Sequence, residues 1–414
     1  MSTIDIDPLD LVDPARYAAR GYPNDVWTRL RATAPVAYVE APGYKPFWAI
    51  TKHADVMQVA AQPQRFSSAQ GITLARAGQP PFPASEILVL LDPPKHGPVR
   101  RLVSARFTPR AVRARRDEVE RIALDVLDGA APTVDAGSGD FVERIAAPFP
   151  LGVIAWILGV PSDDWELLFR WTNEIIGKDD AEYRRDGETP GQTIKRARGE
   201  LQRYLAALIG ERRREPRDDL VSELVTGTID GVALTDEQLV AYCELFVEAG
   251  NETTRNAISG GLLAFCEQPA EWAKLRECPD LVPSAVEEIL RWSSPISHFT
   301  RVATEDCDVR GQRVRRGDQL ALYFASANRD EEVFDDPFSF RVDRRPNPHL
   351  AFGFGEHFCV GAHLARVEIE MILRHLLRRL DGVELAGPIE RLGSAVNGSI
   401  KRLPLRYRAA ERAR

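Results

Sequence analysis

The chemistry of this 414-residue sequence is most concentrated in one short run, Phe352-Gly353-Phe354-Gly355-Glu356-His357-Phe358-Cys359-Val360-Gly361. Gly353, Gly355 and Gly361 permit a tight loop and a close approach of backbone to a flat ligand. Helical spacing is predicted from Val360 to Leu380, which puts Cys359 at the positive end of a helix, where free N–H groups favour a thiolate. A thiolate held in this way suits a soft, redox-active metal. A lone cysteine would read as a buried residue in a glycine-rich turn, but the complete F-x-x-G-x-H-x-C-x-G spacing favours the ligand.

A second group lies in Ala249-Gly250-Asn251-Glu252-Thr253-Thr254. A glycine and two threonines are poor choices for a helix centre. They make sense if the helix is locally opened there, with Thr253 holding a water in the groove and Glu252 feeding protons. The competing reading is a kinked helix whose threonine bonds to the preceding turn. Glu288-Ile289-Leu290-Arg291 says little alone, because i,i+3 ion pairs occur on many helix surfaces. His96 and Arg100 share one helix face by their spacing. Arg301 follows the strand-like Pro295–Thr300, and His357 precedes the cysteine by two. Taken singly, each of these four reads as a solvated cation.

The elements that must position these residues are strand-rich early and helix-rich later. Val36–Val39 and Phe47–Thr51 are predicted strands around Pro42-Gly43, and His53–Ala61 a short helix ended by Pro63. Ser67–Ser85 reads as a loop, and Lys178–Glu188 as a charged surface connection. Helical spacing covers Val99–Leu127 and Trp165–Arg214. The longest helix starts at the capping box Thr235-Asp236-Glu237-Gln238, runs to about Cys266 and is stopped by Pro269. A further helix starts near Pro283. With 54 Lys plus Arg against 61 Asp plus Glu, the net charge of −7 argues against a general nucleic-acid binder. No apolar run of about 18 residues appears, so no membrane span is expected. Met1–Asp13, with Asp5, Asp7, Asp10 and Asp13, lacks the cationic and apolar parts of a secretory signal. The five cysteines form no C-x-x-C pair, which suggests reduced thiols in a cytoplasm. No phosphate loop, Rossmann fingerprint or EF-hand is present.

From about Asp13 to Tyr407 the chain resembles the cytochrome P-450 family of haem-thiolate monooxygenases, on its Gly-x-acid-Thr run, its E-x-x-R pair and its Cys loop, in that chain order. The resemblance implies a mainly α fold with a small β region, a triangular prism holding haem b between the central long helix and the Cys-bearing helix. Residues 1–414 would form one domain, β-rich at about 30–70. Cys359 would be the axial ligand of haem iron, its electron donation favouring O–O cleavage. Thr253 would hydrogen-bond the iron–oxygen unit, Glu252 would relay protons, and Gly250 would make room for dioxygen. Glu288 and Arg291 would form a buried structural pair completed by Arg344, with Arg341 and Arg345 close by. His96, Arg100, Arg301 and His357 would supply positive charge to two buried propionates, with His349 a weaker candidate.

The reaction implied is insertion of one atom of dioxygen into a substrate C–H bond. The chain has no flavin or nicotinamide domain, so electrons would come from separate proteins, a ferredoxin and its reductase. The basic cluster Arg100, Arg101, Arg106, Arg110, Arg113, Arg115 and Arg116 would dock an acidic carrier or remain a solvated face. Two rivals are a haem protein for sensing or electron transfer and a haem-thiolate enzyme that uses peroxide; the Glu252-Thr253 pair speaks against both. The expected pocket wall is mainly apolar: Phe246, Val247, Ala249, Ile296 and Phe299, with polar atoms from Ser297, His298 and Asn397. Such a wall suits a bulky hydrophobic molecule with a hydroxyl or carbonyl, in first place a steroid or terpenoid. The Ser67–Ser85 loop and the 165–188 region would be its mobile parts.

Overall fold

The computed structural model describes residues 6–78, 86–131, 133, 136–177 and 180–410. Asp5, the 79–85 end of the expected loop, and Lys178 with Asp179 of the charged connection lie outside the described residues. Two compact units are formed, each from three segments: residues 1–96, 260–359 and 394–400, and residues 97–259, 360–393 and 401–414.

The first unit is built on a five-stranded sheet of β1 (Val36–Val39), β2 (Phe47–Ile50), β3 (Phe66–Ser67), β4 (His298–Ala303) and β5 (Gln319–Tyr323), in the order β1-β2-β5-β4-β3. All pairings are antiparallel except β2 with β5. The period-two alternation of β5 gives the sheet two apolar faces. Leu320 and Leu322 pack with Trp48, Ile50 and Phe324, whereas Ala321 and Tyr323 pack with Trp27, Phe47 and Ala49. Burying a leucine fully contributes about 1.5–3 kcal/mol, so these two faces are a principal source of the unit's stability. The register sets Phe299 opposite Leu322 and Arg301 opposite Leu320, which fixes which β4 side chains share a face.

The second unit is mainly helical. It contains helices Arg116–Gly129, Pro148–Leu158, Trp165–Ile176, Pro190–Arg214 and Ala362–Arg379, and a three-stranded sheet of Leu380–Leu385, Pro404–Ala409 and Ser138–Asp140. Pro148–Leu158 is buried along almost its whole length, and glycines let neighbours approach it. A Cβ on Gly152 would come within 2.7 Å of the Trp165 ring.

The long helix spans Asp236–Glu267, with Thr235 and Gln238 exchanging hydrogen bonds of 2.8 and 3.2 Å at its start. It is one unbroken α-helix. The opening expected at Ala249–Thr254 is absent; the Thr253 hydroxyl instead donates to the Ala249 carbonyl at 2.8 Å. The stretches of helical spacing from Val99 to Leu127 and from Trp165 to Arg214 each hold more than one helix. Pro109 and Pro190 each start a new helix, since proline is favoured in a first turn. The reading of strands as an early feature also missed Gln319–Tyr323 and the C-terminal strands, which are short and lie beside helix-like spacing. Among the described residues no helix is long and apolar enough to cross a membrane.

Candidate active site

In the first unit the cysteine loop is held by its own backbone. Cys359 donates its N–H to the Phe352 carbonyl at 2.9 Å, and Phe358 to the Gly355 carbonyl at 3.1 Å. Leu350 at the loop's start donates to the Asn328 side chain at 2.7 Å. Gly353 and Gly355 have φ of 72° and 73°, where a side chain is strained, and a Cβ on Gly355 would lie 2.7 Å from the Ala60 carbonyl oxygen. Gly361 is different: its φ of −80° is open to any residue, and it stands as the N-cap of the helix. That helix begins at Ala362 and not at Val360, so Cys359 lies just ahead of the N-terminus. The Cys359 side chain is exposed. Among the described residues no cluster of three metal-ligating side chains exists.

Three of the four expected cations converge next to this loop. His96 is fully buried with Nδ1 3.0 Å from Glu356 Oε1, and its ring lies 4.6 Å from that of His357. His357 Nε2 is 3.3 Å from the Ser68 hydroxyl. Arg301 is buried on β4 and donates Nη1 to the Thr300 carbonyl at 2.8 Å. Among the described residues it makes no ion pair. Burial pushes its pKa down to about 10, opposed only by Asp92. Asp92 is itself engaged by the Ser67 hydroxyl and the Ser68 N–H. A buried guanidinium with four N–H groups to spare is a fit for an incoming carboxylate, and so for a haem propionate. Arg100 belongs to the second unit and is half-buried on helix His96–Ser104.

Glu288 accepts from Arg291 Nε and Nη2 at 2.7 Å each, from Arg344 Nε at 3.1 Å, from the Arg341 backbone N–H at 2.9 Å and from the Asn347 amide at 3.1 Å. The carboxylate and both guanidinium groups are buried. Arg344 is thus the second arginine; Arg341 contributes its backbone. His349 is packed against Glu287 at 3.1 Å.

In the second unit, Glu252 is buried and paired with Arg255, whose Nη2 lies 2.6 and 2.5 Å from its two oxygens. Asn256 adds a 3.3 Å bond, and Arg255 reaches on to Asn173 at 3.1 Å. The sequence reading passed over Arg255 and Asn173, although Glu252–Arg255 repeats the i,i+3 spacing of Glu288–Arg291. Thr253 is partly exposed. A Cβ on Gly250 would meet Ile154 at 2.9 Å, so this glycine serves the approach of Pro148–Leu158; the space for dioxygen assigned to it is taken by Ile154.

The expected pocket wall divides. Ala249 is exposed, and Phe246, Ile296, Phe299 and Asn397 are partly exposed, with Phe246 stacked on Phe107 at 5.3 Å and Ile296 bridged to Asn397. Val247 is fully buried and belongs to the core. Ser297 and His298 are buried as well: the Ser297 hydroxyl donates to the Ala395 carbonyl at 2.6 Å, and the His298 ring lies 4.8 Å from Tyr323. Burial lowers the His298 pKa to about 4. These two residues offer the wall no polar atoms: pairing with β5 sets His298 on the Tyr323 face, and the Ser297 hydroxyl is engaged by His298 Nδ1 and the Ala395 carbonyl. Three of the seven arginines of the basic cluster are engaged in ion pairs: Arg106 with Asp218 and Glu223, Arg115 with Asp218, and Arg116 with Glu370. Arg101, Arg110 and Arg113 are exposed.

The cytochrome P-450 family model matches residues 183–385. The chain is 36% identical to the steroid C26-monooxygenase of Mycobacterium bovis, over 96% of this chain and 92% of that protein. The Mycobacterium marinum cytochrome P-450 solved in complex with pseudoionone superposes with a TM-score of 0.88, at 33% identity and 98% coverage of both chains. A Bacillus megaterium protein solved in complex with testosterone gives a TM-score of 0.82, at 34% identity, over 93% of this chain and 97% of that one.

Proposed function

Because this chain belongs to the cytochrome P-450 family of haem-thiolate monooxygenases, we propose that it hydroxylates a bulky hydrophobic substrate, a steroid or terpenoid, with Cys359 as the residue whose thiolate would hold haem b. The observation that carries the ligand assignment is the Cys359 loop itself, closed by its own hydrogen bonds with Cys359 exposed. His96, Arg301 and His357, with Arg100, are the residues that would hold the propionates. Bound haem supplies the activation of dioxygen, using two electrons from separate redox proteins and two protons.

The chain's own residues supply the rest. Glu252 moves protons toward Thr253, and the Thr253 hydroxyl, released from the Ala249 carbonyl, orients the water that carries them. Glu288, Arg291 and Arg344 hold the segment that leads into the Cys loop. The apolar groups left open at Phe246, Ala249, Ile296 and Phe299 exclude water and hold a hydrocarbon skeleton. Asn397 is the polar atom source on that wall, enough for one hydroxyl or carbonyl. The steroid named for one relative and the testosterone and pseudoionone bound by two neighbours are molecules of this kind. The chain works as one catalytic domain in the cytoplasm, reduced by a ferredoxin that its reductase recharges. Arg101, Arg110 and Arg113 are the charges available to an acidic carrier.

Titrating the haem absorption with steroids, terpenoids, fatty acids and small aromatic acids tests the substrate class. A steroid or terpenoid should bind tightly and turn over with reductant consumption coupled to product. Tight, coupled turnover of a small aromatic acid with no response to the first two classes would overturn the assignment.

A further inference from the structure

Glu252 has an unusual setting for a buried carboxylate. Its arginine partner is not saturated: Arg255 Nε is buried with no hydrogen-bond partner among the described residues, and so is Asn251 Oδ1 one residue before Glu252. A buried polar group left unmade costs about 1–3 kcal/mol, so positions of this kind are where ordered water belongs. Asn173, which holds Arg255 from helix Trp165–Ile176, also lines a cavity of about 650 Å³. Its wall runs from exposed Glu166 and Arg170 to buried Asn173 and Glu174, and is completed by Glu182, Tyr183 and Arg184. Arg184 Nε is a further buried donor without a partner among the described residues. The Glu182–Tyr183 side is tied down by Lys401, 2.6 Å from both Asp180 and Glu182 and 5.3 Å from the centre of the Tyr183 ring. Burial raises the Tyr183 phenol, while the charges of Arg255 and Lys401 pull it back.

We infer that Arg255 is a positioning residue for proton delivery, holding Glu252 toward the polar cavity at Asn173, and that this cavity is the water supply for the relay. The inference rests on the proposed role of Glu252. Glu252 receives a proton that enters from bulk solvent along the cavity waters and passes it to the water at Thr253. Each cavity water takes up one proton as it gives one up, so one proton crosses per passage and Glu252 returns to its starting state. Arg255 orients the carboxylate through Nη2, which contacts both of its oxygens, and Asn173 sets where Arg255 stands.

The test uses Arg255→Gln, Arg255→Lys and Asn173→Ala in the full chain, with two readouts. The first is the infrared band of Glu252, identified by its loss in Glu252→Gln. It should move in Arg255→Gln and return in Arg255→Lys. The second is product formed per reductant consumed, with its solvent deuterium isotope effect. Arg255→Gln should lower coupling by about tenfold, below the full contribution of a general acid–base group because the donor is misplaced and not deleted. Arg255→Lys should recover most of it, and Asn173→Ala should fall between. If Arg255→Gln does not fold, Asn173→Ala decides by the same two readouts. An unmoved band with unchanged coupling would overturn the inference. Failure of the parent protein to form any product would sink the monooxygenase reading instead, and the infrared arm would still decide the placement of Glu252.

Discussion

The chain carries two Glu-x-x-Arg pairs on helices, Glu252–Arg255 and Glu288–Arg291, which differ in everything except spacing. Glu288 is met by two arginines, a backbone N–H and an asparagine amide, and Arg291 also donates to the Asn328, Pro337 and Ser339 carbonyls. Every strong donor there has an acceptor, so the pair is fixed in one geometry. Around Glu252 some buried polar donors and acceptors have no partner among the described residues, and a cavity with charged side chains in its lining lies beside the arginine's anchor. Saturation marks a carboxylate that holds the fold. Incomplete satisfaction next to a wettable cavity marks one that can exchange protons.

The sharpest way to break this comparison is to remove one arginine from the saturated pair. Arg291→Ala leaves Glu288 buried with a lost partner and should cost about 3–5 kcal/mol of stability, read from denaturant melts, with poor haem retention. A loss under about 1 kcal/mol would put Glu288 in the same class as Glu252. Glu252→Gln should behave in the opposite sense. Its melt should fall less than that of Arg291→Ala, because the glutamine carbonyl can still accept from Arg255 and Arg255 keeps Asn173, while coupled product formation falls by about a hundredfold, at the low end for a general acid–base group. A variant that lost stability and kept its rate would reverse the assignment.

Thr253→Ala sharpens the active side of the comparison. It removes the hydroxyl now bonded to Ala249, leaves substrate binding unchanged, and should divert reductant to peroxide and water several-fold. Unchanged product per reductant would remove Thr253 from the relay. The smallest effect is expected at the surface. Arg110→Glu with Arg113→Glu should slow reduction by an acidic ferredoxin, and added salt should slow the parent in the same way, since the Debye length is about 8 Å at 0.15 M. Stopped-flow traces insensitive to both would return these arginines to a solvated face.

Much of this was legible in the chain. Strong local signals carried the strands at 36–50, the capping box of the long helix and the glycine loop before Cys359, because turn glycines and caps are set by neighbours in sequence. What was not legible depends on partners far along the chain. Arg344, Arg341 and Arg345 look alike in sequence, and only the course of the loop decides which side chain reaches Glu288. Ser297 and His298 were assigned to the pocket wall, but pairing with β5 turns His298 to the Tyr323 face. Gly250 was read as space for a ligand and is explained by Ile154, nearly a hundred residues earlier. Arg255 was missed because its i,i+3 partner was considered for another role.

The most direct test of the central claim is the absorption spectrum of the reduced carbon monoxide complex, with Cys359 and with Cys359→Ala. Cys359 alone lies in the glycine loop; Cys243, Cys266, Cys278 and Cys307 lie on helices, their connection or a strand. The parent should therefore show the red-shifted thiolate band and the variant should lose it. A variant that kept the band would contradict Cys359 as the ligand, and with it the account of the site.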